Sequence, residues 1–192
     1  MPPNPADPRL APKFPEMKFH PLAITLVRVV VVFLIIFPAV SAQRPLKDAG
    51  AKLSEPISVK ADLYPADADA RSEIDEALKR ATAERKRVLL IFGANWCYDC
   101  HVLDQALHEG DAGKIVSQNF LLVHVDIGEG EKNPDLLKTY KIPLDKGVPA
   151  VAVLESNGRL LYSSGDGEFE AARRMLKKDL VLFLNKWKQL RS

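Results

Sequence analysis

The reactive side chains of this sequence crowd into Trp96-Cys97-Tyr98-Asp99-Cys100-His101, which holds both of its cysteines. Two cysteines separated by two residues can close a small disulfide ring, and their surroundings decide whether that ring does chemistry. The approach is Val88-Leu-Leu-Ile-Phe92, a short branched apolar run bounded by Arg87 and Gly93, which reads as a buried strand. The exit is Val102, Leu103, Ala106 and Leu107, a spacing that predicts a helix beginning beside the cysteines. A helix start offers unpaired N–H groups and a positive dipole end, and both favour a thiolate over a thiol at Cys97. The pattern therefore predicts a redox pair where a strand hands over to a helix.

Other chemistries share these residues. Cys97-Tyr-Asp-Cys-His101 has the spacing of a c-type haem attachment site, with Met175 as the distal ligand. Against haem, an apolar strand and not a helical frame leads into the motif. Zinc on both cysteines would need two histidines, and His108 and His124 stand at no ligand spacing. A disulfide kept only for stability is disfavoured because a two-residue ring is strained. No cofactor and no metal are expected. His101 reads as solvent-facing, His124 as a core histidine, and Phe183 and Trp187 as core.

The rest of the chain must position that pair. Its 192 residues suit one compact domain with an extension. Of 27 basic and 25 acidic side chains, four and two precede residue 43, leaving 23 of each sign beyond it, so nothing points to nucleic acid. Two cysteines are too few for a disulfide framework. Residues 1–16 are proline-rich and polar and cannot bury a core, which makes Met17 an alternative start. Lys18 and Arg28, nine apolar residues at 29–37, and Pro38-Ala-Val-Ser-Ala42 then form a secretory signal pattern with cleavage after Ala42. Counted from Leu22 to Phe37 the apolar segment has 16 residues with Arg28 inside, short of the roughly 20 that span a bilayer. An uncleaved anchor is the rival reading. We take 1–42 as start and signal or anchor, 43–66 as linker and 67–192 as the domain.

Along that domain, residues 57–64 alternate weakly as an edge strand. Residues 67–87 form a helix with Ala70, Ile74, Ala77, Leu78 and Ala81 on one face and Arg85-Lys86-Arg87 complementing its C-terminal dipole. Gly110-Asp-Ala-Gly113 breaks the motif's helix, a short helical piece covers 115–119, and 120–126 is a second buried strand. Asn133 caps a helix that begins at Pro134 and runs through Leu136, Leu137 and Tyr140. A third strand at 150–154 turns at Asn157-Gly158 into a fourth at 159–163. A final helix is expected over 169–190, with Met175, Leu176, Leu180, Phe183, Leu184 and Trp187 on its apolar side. Such an order is α/β with a mixed central sheet flanked by helices.

With an apolar strand running into Trp96-Cys97-x-x-Cys100, the sequence resembles the thioredoxin superfamily over residues 67–190. Gly93-Ala-Asn-Trp-Cys-x-x-Cys100 and the long helix after it are similar to exported thioredoxin-like proteins. They are similar also to the thioredoxin domain of the transmembrane thiol:disulfide interchange reductase. The resemblance implies a thioredoxin fold and places Val148-Pro149 on the family's cis-proline, which lies against the disulfide. Asn157-Gly158 and Gly165 fit the same pattern. It implies that Cys97 attacks a client disulfide, that Cys100 resolves the mixed disulfide, and that Trp96, Val148 and Pro149 bind the client chain. Asp99 and His101 are then candidates for proton transfer. Client protein thiols or disulfides, an upstream redox partner, a monomeric state and a periplasmic or envelope location follow from it.

Two departures stand out: one removes the family's buried proton acceptor, and the other bears on direction. The family's buried acid, six residues before the first cysteine, is replaced by Ile91. Tyr98 and Asp99 separate the cysteines, and a carboxylate beside both sulfurs opposes thiolate formation, which points to an electron donor. The alternatives of other class are a thioredoxin-fold binding or redox-sensing module without turnover and a dedicated reductant for apocytochrome c maturation. The loops at 128–132 and 142–147 flank the expected site and are candidates for specificity.

Overall fold

The structure, a computed structural model, describes residues 50–54, 59 and 62–188. The signal or anchor read over 1–42 lies outside the described residues, and none of the described helices is long and apolar enough to cross a membrane.

Asp69 caps α1 (Ala70–Glu84), its carboxylate accepting the N–H groups of Arg71 and Ser72, and Ala70, Ile74, Ala77 and Ala81 form the buried face. The helix stops earlier than its spacing suggests. Arg85 turns left-handed (φ 53°, ψ 48°), and the Lys86 N–H folds back onto the Ala81 carbonyl. Arg87 therefore opens β1 (Arg87–Gly93) and does not finish the helix. Its guanidinium donates to the Trp187 and Lys188 carbonyls, so it serves the end of the last helix and not that of α1.

β1 is the centre of a four-stranded sheet in the order β2-β1-β3-β4. It runs parallel to β2 (Phe120–Asp126) and antiparallel to β3 (Ala150–Leu154), which pairs antiparallel with β4 (Leu160–Ser163). Parallel neighbours need a crossover, supplied by α2 (Tyr98–His108) and α3 (Gly110–Asn119). Successive β1 side chains face opposite layers, which is why the strand is apolar throughout. Val88, Leu90 and Phe92 pack with α1 and the short α4 (Pro134–Thr139), while Leu89 and Ile91 pack with α2, α3 and α5 (Lys177–Trp187).

Several boundaries differ from expectation. The break after α2 is the single extended residue Glu109 (φ −114°, ψ 157°), and α3 restarts at once at Gly110. Asn133 does precede Pro134 at the start of α4, but in a left-handed conformation, with its amide donating to the Asp126 carbonyl instead of capping the helix. The final helix is shorter than the apolar pattern implies. A 3-10 turn at Ala172–Arg174 is followed by extended Met175 and Leu176 before α5 begins. Pairing with the N-terminal segment holds that stretch open: Leu53 N–H donates to the Met175 carbonyl, Lys177 N–H to that of Ala51, and Lys52 bridges Leu176. Residues read as linker are thus fixed to the fold. Of the edge strand expected at 57–64, residues 57, 58, 60 and 61 lie outside the described residues, while Val59 and 62–64 form no strand.

Candidate active site

The turn between β1 and α2 delivers the cysteines. Cys97 N–H closes a turn onto the Ala94 carbonyl at 3.0 Å, and Cys97 itself occupies the N-cap of α2 with extended backbone. Its Sγ accepts the Cys100 N–H at 3.2 Å, so the sulfur takes one of the donors that a helix start leaves unpaired. Cys97 and Cys100 are joined as a disulfide, with Cα atoms 5.3 Å apart. Cys97 is 5% exposed and Cys100 fully buried, which makes Cys97 the more accessible of the two.

Val148-Pro149, a cis peptide bond, leads into β3 beside them. The Val148 carbonyl oxygen lies 3.6 Å from Cys97 Sγ, so the structure brings this segment to the sulfur as the resemblance implies. Trp96 is 57% exposed, and its indole Nε1 donates to the Gly128 carbonyl at 2.9 Å. Asp126 steadies that loop by accepting from Gly128 N–H and pairing with the Lys132 ammonium. The loop at 128–132 therefore flanks the cysteine pair.

Asp99 and His101 are both buried, against the expectation that His101 faces solvent. His101 Nε2 donates to the Asn95 carbonyl at 2.9 Å, since a carbonyl can only accept. Asp99 does not stand as a bare charge beside the sulfurs. It accepts the Arg173 N–H at 2.8 Å and pairs with the Arg173 guanidinium at 3.0 Å, docking α2 onto the 3-10 turn before α5.

The histidines considered for zinc converge elsewhere. His124 Nε2 and His108 Nδ1 lie 3.2 and 3.3 Å from one oxygen of Asp104, a buried acid on the inward face of α2. Among the described residues no group of three or more His, Cys, Asp or Glu side chains is arranged to hold a metal. His124 is only partly buried and packs edge-on against Tyr64, so it belongs to this acidic corner more than to the core.

Sequence reasoning overlooked Tyr64, Asn95 and Asp104. Asp104 had a signal, since it falls four residues after Cys100 on the face shared with Leu103 and Leu107. Tyr64 had none, because only tertiary packing gathers Leu63 and Tyr64 against Cys97 and Cys100.

The Thioredoxin-like family profile matches residues 69–156, which include both cysteines and Pro149. Thiol:disulfide interchange protein DsbD 2 of Pseudomonas aeruginosa is 27% identical over 123 residues, 63% of this chain and 19% of that protein. Thiol:disulfide interchange protein DsbD of Ralstonia nicotianae is 28% identical over 88 residues, 45% of this chain and 14% of that protein. The chain thus spans less than a fifth of either curated relative. The solved disulphide isomerase of Xylella fastidiosa Temecula1 is 33% identical with a TM-score of 0.61, covering 68% of this chain and 98% of its own. With the cysteine pair bonded at the start of α2 and lying inside the stretch that the family profile matches, the chain belongs to the thioredoxin-like family, with a thioredoxin fold and its Cys-x-x-Cys pair at disulfide distance.

Proposed function

We propose that this protein works outside the cytoplasm, exchanging disulfides with protein clients on the reducing side of the reaction. The observation that carries the reading is the Cys97–Cys100 bridge at the N-cap of α2, with the Val148 carbonyl 3.6 Å from Cys97 Sγ. Cys97, at the helix start and the more exposed of the two, is the attacking thiolate. It cleaves a client S–S bond, forms a mixed disulfide and releases one client thiol. Cys100 then attacks Cys97 Sγ, freeing the second client thiol and leaving the protein oxidised. Trp96 and the Val148-Pro149 backbone form the surface against which an extended client segment lies.

Export is supported by the basic residues, apolar run and small-x-small ending that precede residue 43. The reducing direction is supported by Asp99 in the first turn of α2, where its negative charge offsets the positive helix end that would otherwise stabilise the Cys97 thiolate. Arg173 offsets that charge only in part, because its guanidinium is 54% exposed and screened by water. Insulin reduction driven by dithiothreitol tests turnover: wild type is active, Cys97→Ser is inactive, and Cys100→Ser accumulates covalent client adducts. The reduction potential tests direction. A value below about −200 mV supports a donor, and one near about −120 mV overturns that assignment.

A further inference from the structure

Tyr64 precedes the segment matched by the family profile, yet it packs with both cysteines in one buried cluster. It is 1% exposed, and its hydroxyl meets no hydrogen-bond acceptor among the described residues. A buried donor without a partner costs stability, so the position calls for an explanation.

Gly93 locates the hydroxyl. A Cβ at that glycine would sit 2.4 Å from Tyr64 Oη and 2.6 Å from Cys100 Sγ, so oxygen and sulfur are no farther apart than those two distances combined. The Tyr64 backbone is clamped from the same turn: its N–H donates to Asn95 Oδ1 at 2.9 Å, and its carbonyl accepts from Asn95 Nδ2 at 2.7 Å. Its ring packs edge-on against His124, centroids 5.3 Å apart. Burial above all, then the Asp104 and Asp126 carboxylates, push the hydroxyl far above the ordinary tyrosine range. Tyr64 therefore keeps its proton and acts as a donor, never as a base.

We propose that Tyr64 is a further functional residue of the redox site, a hydroxyl that gains its acceptor when the bridge opens and hydrogen-bonds the Cys100 sulfur. The inference rests on the redox cycle proposed above. In the resolving step the Cys100 thiolate attacks Cys97 Sγ, the Cys97–client S–S bond breaks and the Cys97–Cys100 bond forms. The client leaves as a thiolate and takes up a proton equivalent to the one Cys100 has lost. Two electrons pass from the cysteine pair to the client disulfide over the whole cycle. Tyr64 transfers no proton; it stabilises the Cys100 thiolate before attack. Because it is satisfied only in the open state, it favours the reduced protein and makes the couple more oxidising, a bias opposed to that of Asp99.

The test uses the reduced full-length protein and dithiobis(nitrobenzoate), followed by stopped-flow absorbance of thionitrobenzoate. Wild type releases one equivalent as Cys97 reacts and a second as Cys100 resolves. Tyr64→Phe, which keeps the ring, slows the second phase about tenfold and leaves the first within about twofold, in line with a hydrogen bond to a charged group. Its equilibrium with glutathione moves about tenfold towards the oxidised form, equivalent to about 30 mV more negative. A folded Tyr64→Phe protein with both quantities within about twofold of wild type overturns the proposal. Should that variant not fold, Asn95→Ala, which releases the clamp, slows the same phase, and an unchanged second phase in it overturns the proposal equally. Absence of any release from wild type overturns the redox reading itself and not the role of Tyr64 within it.

Discussion

The contact between Asp99 and Arg173 separates two kinds of bond that are usually conflated, and substitutions on its two sides have calculable costs. The Asp99 side chain is 9% exposed and accepts a backbone N–H and a guanidinium, whereas the Arg173 side chain is 54% exposed. Asp99→Ala removes both and leaves the part-buried Arg173 N–H without its acceptor. A charge-assisted bond of this kind is worth about 1.5–3 kcal/mol. Arg173→Ala keeps the backbone bond and loses only a solvent-screened ion pair, worth about 0.5–1 kcal/mol. At roughly 4 °C per kcal/mol for a domain of this size, Asp99→Ala, which loses both contributions, lowers Tm by about 8–16 °C and Arg173→Ala by about 2–4 °C. Scanning calorimetry of the oxidised proteins measures both. The same variants move the reduction potential in opposite directions. Losing the carboxylate makes the thiolate easier to form and the couple more oxidising, while losing the guanidinium leaves that charge uncompensated and makes it more reducing. If Arg173→Ala costs as much stability as Asp99→Ala, or if both shift the potential the same way, the division of this contact into a strong backbone bond and a weak ion pair is wrong.

Two further outcomes follow from packing and proton linkage. Gly113→Ala places a Cβ 2.6 Å from both the carbonyl carbon and oxygen of His108, so the join between α2 and α3 must shift, and urea unfolding registers a loss of about 1–3 kcal/mol with little change in m. Tyr64 loses its proton far more readily unfolded than folded, because burial raises the folded value. Its contribution is therefore fully present below pH about 10, the unfolded tyrosine value, and is lost above it at about 1.4 kcal/mol per pH unit. Tyr140 and Tyr162, also raised but only half-buried, add less. Chemical denaturation across this range shows a shallower decline in Tyr64→Phe, and equal slopes in the two proteins refute the assignment.

What the sequence determined was local chemistry and alternation. The continuous apolar run of β1 required two covered faces, the spacing after Cys100 required a helix, and a CxxC pair at that junction required its sulfurs at a helix start; each is a short-range consequence of periodicity. The order of elements along the chain and the hairpin at Asn157-Gly158 are legible in the residues, the Val148-Pro149 segment at the disulfide is what the resemblance implies, and all three stand in the structure. Tertiary structure decided the rest, wherever a residue's partner lies far along the chain. Met175 and Leu176 are extended despite helical spacing because residues 51–53 pair with them. Arg87 serves α5, one hundred residues on, although its neighbours suggested the end of α1. Asp99 is shielded by Arg173, and Tyr64 comes from a segment read as linker to stand beside Cys100. No window on the sequence contains both members of such a pair, and the strength of each contact depends on burial, which exists only once the chain has folded.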